Sequence, residues 1–218
     1  MKLETVGILT DIRPFNERDS FARIFTRDYG LMTGMMRGAA VAKKNRPLTG
    51  QVGAVSWNAR LDSQLGVFHW EPTRNLAAPI MADFRRLSMM NSAFALVSAL
   101  LPERECYDIL YSRTADFIDA LPGAENPAEL YLEWEIGFLR EIGYALDLSA
   151  CAGCGVRTGL DYLSPRTCRA VCAACGAPYA DKLYPLPMTL GVSARLIEHV
   201  CVAQGASMPA ARRMLRDK

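Results

Sequence analysis

From about residue 3 to about residue 71 the chain runs in short β-rich stretches separated by turn residues, which is the pattern of strands. Residues 6–12 are stopped by Pro14, residues 21–26 follow the polar cluster Asn16-Glu17-Arg18-Asp19-Ser20, and residues 31–36 follow Asp28-Tyr29-Gly30. After a polar loop, residues 52–61 and 65–70 form a further pair joined at Asp62-Ser63-Gln64. Five strands are therefore predicted. Gly7, Gly34 and Gly53 fall inside these runs, where a residue without Cβ permits the bulges and coiling of a small closed barrel. Five strands in so short a stretch suit an OB-type barrel better than a sandwich, which needs about seven.

The period then changes from 2 to 3.6. Phe84, Leu87, Met90, Phe94, Val97 and Leu101 recur at spacings of three and four, predicting a helix over 82–101 ended by Pro102. A second helix carries Leu110, Thr114, Phe117 and Leu121 before Pro122-Gly123. A third opens with Asn126 as N-cap and Pro127 at the first helical position, and continues through Tyr131, Trp134, Phe138 and Ile142. Residues 189–204 read as a fourth, closed by Gly205, and 207–216 as a short basic one. The expected class is α+β with more than one domain: an OB-fold domain at 1–78 and an α-helical domain at 79–218, the latter carrying a cysteine-bearing insert at 150–180.

Composition narrows the function. Half of the 218 residues are hydrophobic and 22% are charged, a globular balance. The net charge of +2 hides an asymmetry, because residues 1–80 carry 11 basic and 7 acidic side chains while the remainder is net acidic. The two parts are expected to have different partners. No stretch approaches the roughly 18 consecutive apolar residues of a membrane span. The N-terminal residues lack the basic and apolar regions of a secretory leader, so a cytoplasmic location is expected.

Four of the seven cysteines form two pairs, Cys151-x-x-Cys154-Gly155 and Cys172-x-x-Cys175-Gly176, with 17 residues between the pairs. Each pair can fold as a knuckle that aims two thiolates at one ion, and the following glycine offers the positive φ such a turn often needs. Four sulfur ligands suit a closed, structural Zn²⁺ site, one per chain, with no position left for a catalytic water. Cys168 lies close enough in sequence to compete as a ligand. Cys106 and Cys201 are expected in helices as small buried hydrophobes.

The segment 37–46 holds four cations, Arg37, Lys43, Lys44 and Arg46, and no acid. A basic loop beside a barrel is suited to tracking phosphates, and Arg13, Arg18, Arg23 and Arg27 add charge on the first two strands. Phe15, Phe21, Phe25, Tyr29 and Trp57 are the nearby aromatics, most of them expected in the core. No phosphate loop, dinucleotide fingerprint, zinc-protease motif or nucleophile elbow occurs, and His69 and His199 have no evident partners. Catalysis is not expected.

Several segments resemble the RecO family of bacterial recombination mediators: the opening Thr5-Val-Gly-Ile-Leu, the run Phe21 to Leu31, Met36-Arg37-Gly38-Ala39, Leu100-Leu-Pro-Glu-Arg-Glu, and the stretch from Trp134 into the cysteine knuckles. They occur in family order along nearly the whole chain. The resemblance implies an N-terminal OB-fold, a helical domain with a zinc-binding insert, and no nucleotide hydrolysis. It also implies binding of single- and double-stranded DNA, strand annealing, and work with RecR and the single-stranded-DNA-binding protein to load RecA. The family's metal ligands map onto Cys151, Cys154, Cys172 and Cys175. Thr167-Cys168-Arg169-Ala170-Val171 departs from the Gly-Gly pair that many relatives have before the third cysteine, and some relatives lack the cysteines. The partner's acidic tail would meet Arg85, Arg86, Arg104 and Arg113, cations on or near two apolar helices. An RNA-binding OB protein with a zinc knuckle, or a scaffold for acidic protein tails, fits the same residues.

Overall fold

A computed structural model describes residues 1–42, 46–60 and 65–215. Five strands, β1 (Lys2–Pro14), β2 (Ser20–Thr26), β3 (Gly30–Met36), β4 (Gln51–Asn58) and β5 (Gly66–Asn75), close into a barrel in the order β1-β2-β3-β5-β4. All neighbours are antiparallel except β3 and β5, whose parallel pairing at Gly34↔Gly66 and Met36↔Phe68 closes the ring. This is the OB-fold. Register shifts fall in β1 between Leu9 and Asp11 and opposite Val52/Gly53 of β4, where Thr73 of β5 is the extra residue, so of the three strand glycines only Gly53 adjoins a bulge. Gly7 and Gly34 are instead places of close packing, where a Cβ would meet Ile24 at 2.4 Å and Phe68 at 2.8 Å. β1 begins before its expected start because Lys2 to Thr5, alternating exposed and half-buried, still pair with β4. The joining turn at residues 62–64, like the end of the fourth predicted strand at Leu61, lies outside the described residues.

The helical part comprises α1 (Phe84–Leu100), α2 (Asp108–Ala120), α3 (Pro127–Glu141), a single turn α4 (Ala173–Gly176), α5 (Leu190–Ala203) and the short α6 (Ala210–Arg213). Caps set the starts. Asp83 accepts the N–H groups of Arg85 and Arg86, Asn126 that of Glu129, and Thr189 that of Val192. Between α3 and α5 a three-stranded sheet, β6 (Leu160–Leu163), β7 (Ala170–Cys172) and β8 (Tyr184–Pro185), is ordered β7-β6-β8.

Two apolar clusters hold the molecule. Leu9, Ile24, Met32, Val55, Trp57 and Phe68 fill the barrel. The other cluster joins α1, α2, α3 and α5, and it includes three barrel residues, Ile8, Phe25 and Leu31, whose side chains leave the barrel on its outer side. β1 is thus buried on both faces at Ile8 and Leu9, which is why its apolar run does not alternate there. The segment after α1 completes the contact: Glu103 bridges to Leu31, the Thr33 hydroxyl donates to the Glu103 carboxylate, and Arg104 lies 4.5 Å over the ring of Trp57. Gly30, at φ +64°, is needed here, because a Cβ would stand 1.7 Å from the carbonyl oxygen of Glu105.

Candidate nucleic-acid interface and metal centre

The basic residues singled out in the sequence do not form one patch. The β1–β2 hairpin ends in a tight turn in which Asn16 accepts the N–H groups of Arg18 and Asp19. The turn after β3 is fastened to this hairpin, since the Gly38 N–H donates to Asp19 at 2.9 Å and the Ala40 N–H to the Arg18 carbonyl at 3.0 Å. The Gly38 bond, then the Asn16 amide, hold the Asp19 carboxyl below the usual carboxylate range, and the nearby cations Arg37 and Arg18 add to the effect. Arg18 and Arg37, 19 positions apart, therefore share one end of the barrel. Phe15 at the hairpin tip is 65% exposed, and Arg37 borders a cavity of about 440 Å³ with Asn58, Val67 and His69. Arg46 is exposed, while Lys43 and Lys44 lie outside the described residues.

Arg13 sits on the same hairpin, paired with Asp11 at 2.9 Å. Arg23 faces the helices and donates from Nη1 to the Ser98 carbonyl at 3.2 Å. Arg27 is at the far end of β2 from Arg18, about 20 Å away along the strand, and pairs with Asp28 at 3.2 Å. Among the aromatics, Phe25 and Trp57 are fully buried and Phe21 and Tyr29 partly so, leaving Phe15 as the open ring. His69 has an exposed partner in Glu71 at 3.0 Å.

The cysteine insert brings four sulfurs together. The ligand atoms of Cys151, Cys154, Cys172 and Cys175 all lie within 4.8 Å of one another, and the Cys154 and Cys172 sulfurs are 3.7 Å apart. A tetrahedral zinc–thiolate site with bonds of about 2.3 Å puts its sulfurs about 3.8 Å apart, so the set could hold a metal ion. The first knuckle is closed by Cys151 N–H to Val156 O at 2.8 Å and Gly155 N–H to Cys151 O at 2.9 Å, with Gly155 at φ +78°. The second differs from expectation. Gly176 has φ −82°, because Cys172 caps α4 and the chain continues helically, and its missing Cβ matters through Tyr162, which a Cβ would meet at 2.5 Å.

The four thiols are electrostatically unequal. The Cys172 backbone N–H, then those of Cys154 and Gly153, lower the Cys151 thiol to about 6. Hydrogen bonds to the sulfurs of Cys154, Cys172 and Cys151 push Cys175 up to about 12. Cys168 is not one of the four. It is buried in the helical core cluster at φ +54°, and burial raises its thiol. Cys201 is buried in α5 as expected, whereas Cys106 lies exposed in the loop before α2, its Sγ donating to Arg27 O at 3.4 Å.

The arginines expected to face a partner are differently employed. Arg85 is exposed on the first turn of α1, beside Phe84 at 84% exposure. Arg86 is committed inward: it pairs with Asp83 and donates to Leu121 O at 2.9 Å and Ala124 O at 2.8 Å, carbonyls that follow α2. Arg113 lies in a cavity of about 590 Å³ whose walls carry Asp108, Asp116 and Glu133, an acidic setting unsuited to an acidic tail.

Family comparison decides the class of the molecule. A family model described as Recombination protein O N terminal matches residues 1–74, and one described as Recombination protein O C terminal matches residues 81–205. The chain belongs to the RecO family. It is 40% identical to the DNA repair protein RecO of Jannaschia sp. (strain CCS1), across 97% of this chain and 93% of that protein. Identity to the DNA repair protein RecO of Ruegeria sp. (strain TM1040) is 40%, covering 83% of this chain and 76% of the relative. The Rhizobium rhizogenes DNA repair protein RecO is 34% identical over 98% of this chain and 81% of its own length. RecO membership supports a role in DNA repair and recombination. Among the described residues, no helix is long and apolar enough to cross a membrane.

Proposed function

We propose that this protein is a non-catalytic recombination mediator of the bacterial cytoplasm that binds single- and double-stranded DNA, anneals complementary strands, and acts with RecR to load RecA onto gapped DNA coated by single-stranded-DNA-binding protein. The observation that supports this most is the fastening of the β1–β2 hairpin to the turn after β3, with Arg18, Arg37 and the open ring of Phe15 at one end of an OB barrel. Guanidiniums neutralise phosphates without reading bases, and an exposed ring stacks on any base, so such a face binds strands regardless of sequence. Lys43, Lys44 and Arg46 follow Arg37 in the sequence and add to the charge of this segment. Annealing follows from the same chemistry, because neutralised strands repel each other less as they approach.

Cys151, Cys154, Cys172 and Cys175 would hold one Zn²⁺ whose contribution is to fold the insert, since four thiolates leave no position for a reacting group. Arg85 with Phe84 is the combination that fits the acidic, aromatic-ended tail of the single-stranded-DNA-binding partner.

Replacing Arg37, Lys43, Lys44 and Arg46 together by Ala tests the reading. Affinity for oligonucleotides of unrelated sequence should fall by a common factor, and annealing of complementary strands should slow. The log–log salt slope on single strands should flatten by roughly 2, at about 0.7 for each of about three phosphate contacts. Unchanged binding and annealing across the salt range would remove the loop from the DNA surface.

A further inference from the structure

A cleft between the barrel and the helices carries a second concentration of positive charge, built from parts far apart in the sequence. The bulge in β1 sets Asp11 opposite Arg23 and Arg13 opposite Phe21, so Asp11, Arg13 and Arg23 share one face of the β1–β2 pair. Across from this face, α1 presents Asn91, Ala95 and Ser98, spaced as one stripe of a helix, with Phe94 beside them. The third wall comes from the C-terminal turn. There Arg212 is turned inward and Arg213 outward, its Nη2 donating to the Met208 carbonyl at 2.8 Å. The space enclosed is about 550 Å³.

Among the described residues, three guanidiniums border this cleft against a single carboxylate, Asp11, which is already paired with Arg13. Arg23 is incompletely satisfied. Its Nη1 donates to Ser98 O, but its Nε is sealed from solvent and has no acceptor among the described residues. An anion with several oxygens suits guanidinium groups arranged around a polar cleft.

We propose that this cleft is a phosphate seat, taking a phosphodiester group of a DNA strand that runs from the β1–β2 hairpin onto the C-terminal turn. The proposal rests on the DNA-binding reading above. Continuity selects DNA over other anions: Arg18 and Phe15 at the hairpin tip, then Arg13, then Arg23, lie along one hairpin leading into the cleft. A strand seated there touches barrel and helices together.

The test uses the full chain and a fluorescent single-stranded oligonucleotide titrated at several salt concentrations, with Arg213→Gln, Arg23→Met and the double variant. Each lost arginine should flatten the log–log salt slope by about 0.7. Arg213 is exposed, so Arg213→Gln should melt like wild type, and it alone carries the test if Arg23→Met does not fold. A slope unchanged in Arg213→Gln, alongside weakened binding by an Arg18→Ala, Arg37→Ala variant, overturns the seat and leaves the DNA reading standing. A wild type that binds no DNA overturns both. Inorganic phosphate forms the other arm: if it raises the melting temperature of wild type but not of Arg213→Gln, while the DNA slope stays the same, the seat takes free phosphate and the DNA assignment falls.

Discussion

Cys154 and Cys106 are both exposed thiols, and what separates them is their surroundings. Cys154 has a second sulfur at 3.7 Å and two more within the same 4.8 Å group, while Cys106 has one backbone carbonyl. Because thiolate coordination is coupled to folding of the insert, Cys154→Ser should drop zinc well below one per chain and open residues 150–180 to protease. Cys106→Ser and Cys168→Ser should retain the metal. Elemental analysis of the purified proteins with limited proteolysis distinguishes them. The four-cysteine set was legible from spacing, because two residues between cysteines is itself a constraint on where the sulfurs point. The place of Cys168 was not. Its N–H returns to Ser164 O at 2.9 Å in a turn that aims the thiol into the helical core, and nothing in the local sequence announces that direction.

At the scale of elements, α6 shows what a charge pattern hides. The sequence shows only a short basic helix at 207–216, yet Arg212 in α6 is fully buried. It pairs through Nε and Nη2 with Glu135 of α3, also fully buried, and donates to Leu190 O at 2.8 Å and to Ser193 Oγ at 2.9 Å on α5. Tyr131 donates to the same Glu135 at 2.9 Å and meets Ser92 of α1 at 2.8 Å, so four helices meet in one polar network. Arg212→Met should cost ~3–5 kcal/mol by leaving the Glu135 charge unpaired, and adding Glu135→Leu should recover much of that loss. Denaturant melts of the two single variants and the double one measure it. Strands and helix starts were legible because alternation, period and caps are local. The Glu135–Arg212 pair, 77 positions apart, and the inward turn of Arg86 were not, since a charged side chain on a helix carries no mark of burial until its partner is in place.

For the whole molecule, the barrel's interior follows from strand alternation, but its outer side does not. Ile8, Phe25 and Leu31 belong to the helical cluster, each no more than 1% exposed, and each is worth about 1.5–3 kcal/mol when buried. Residues 1–78, produced alone, would hand these three side chains to water on one contiguous face, next to the unpaired β3 backbone that Glu103 and Arg104 now occupy. Such a fragment should bind hydrophobic dye and self-associate with rising concentration, as light scattering would show, and adding residues 79–218 in trans should reverse it. The barrel is thus sticky by construction, and its solubility is supplied by the rest of the same chain.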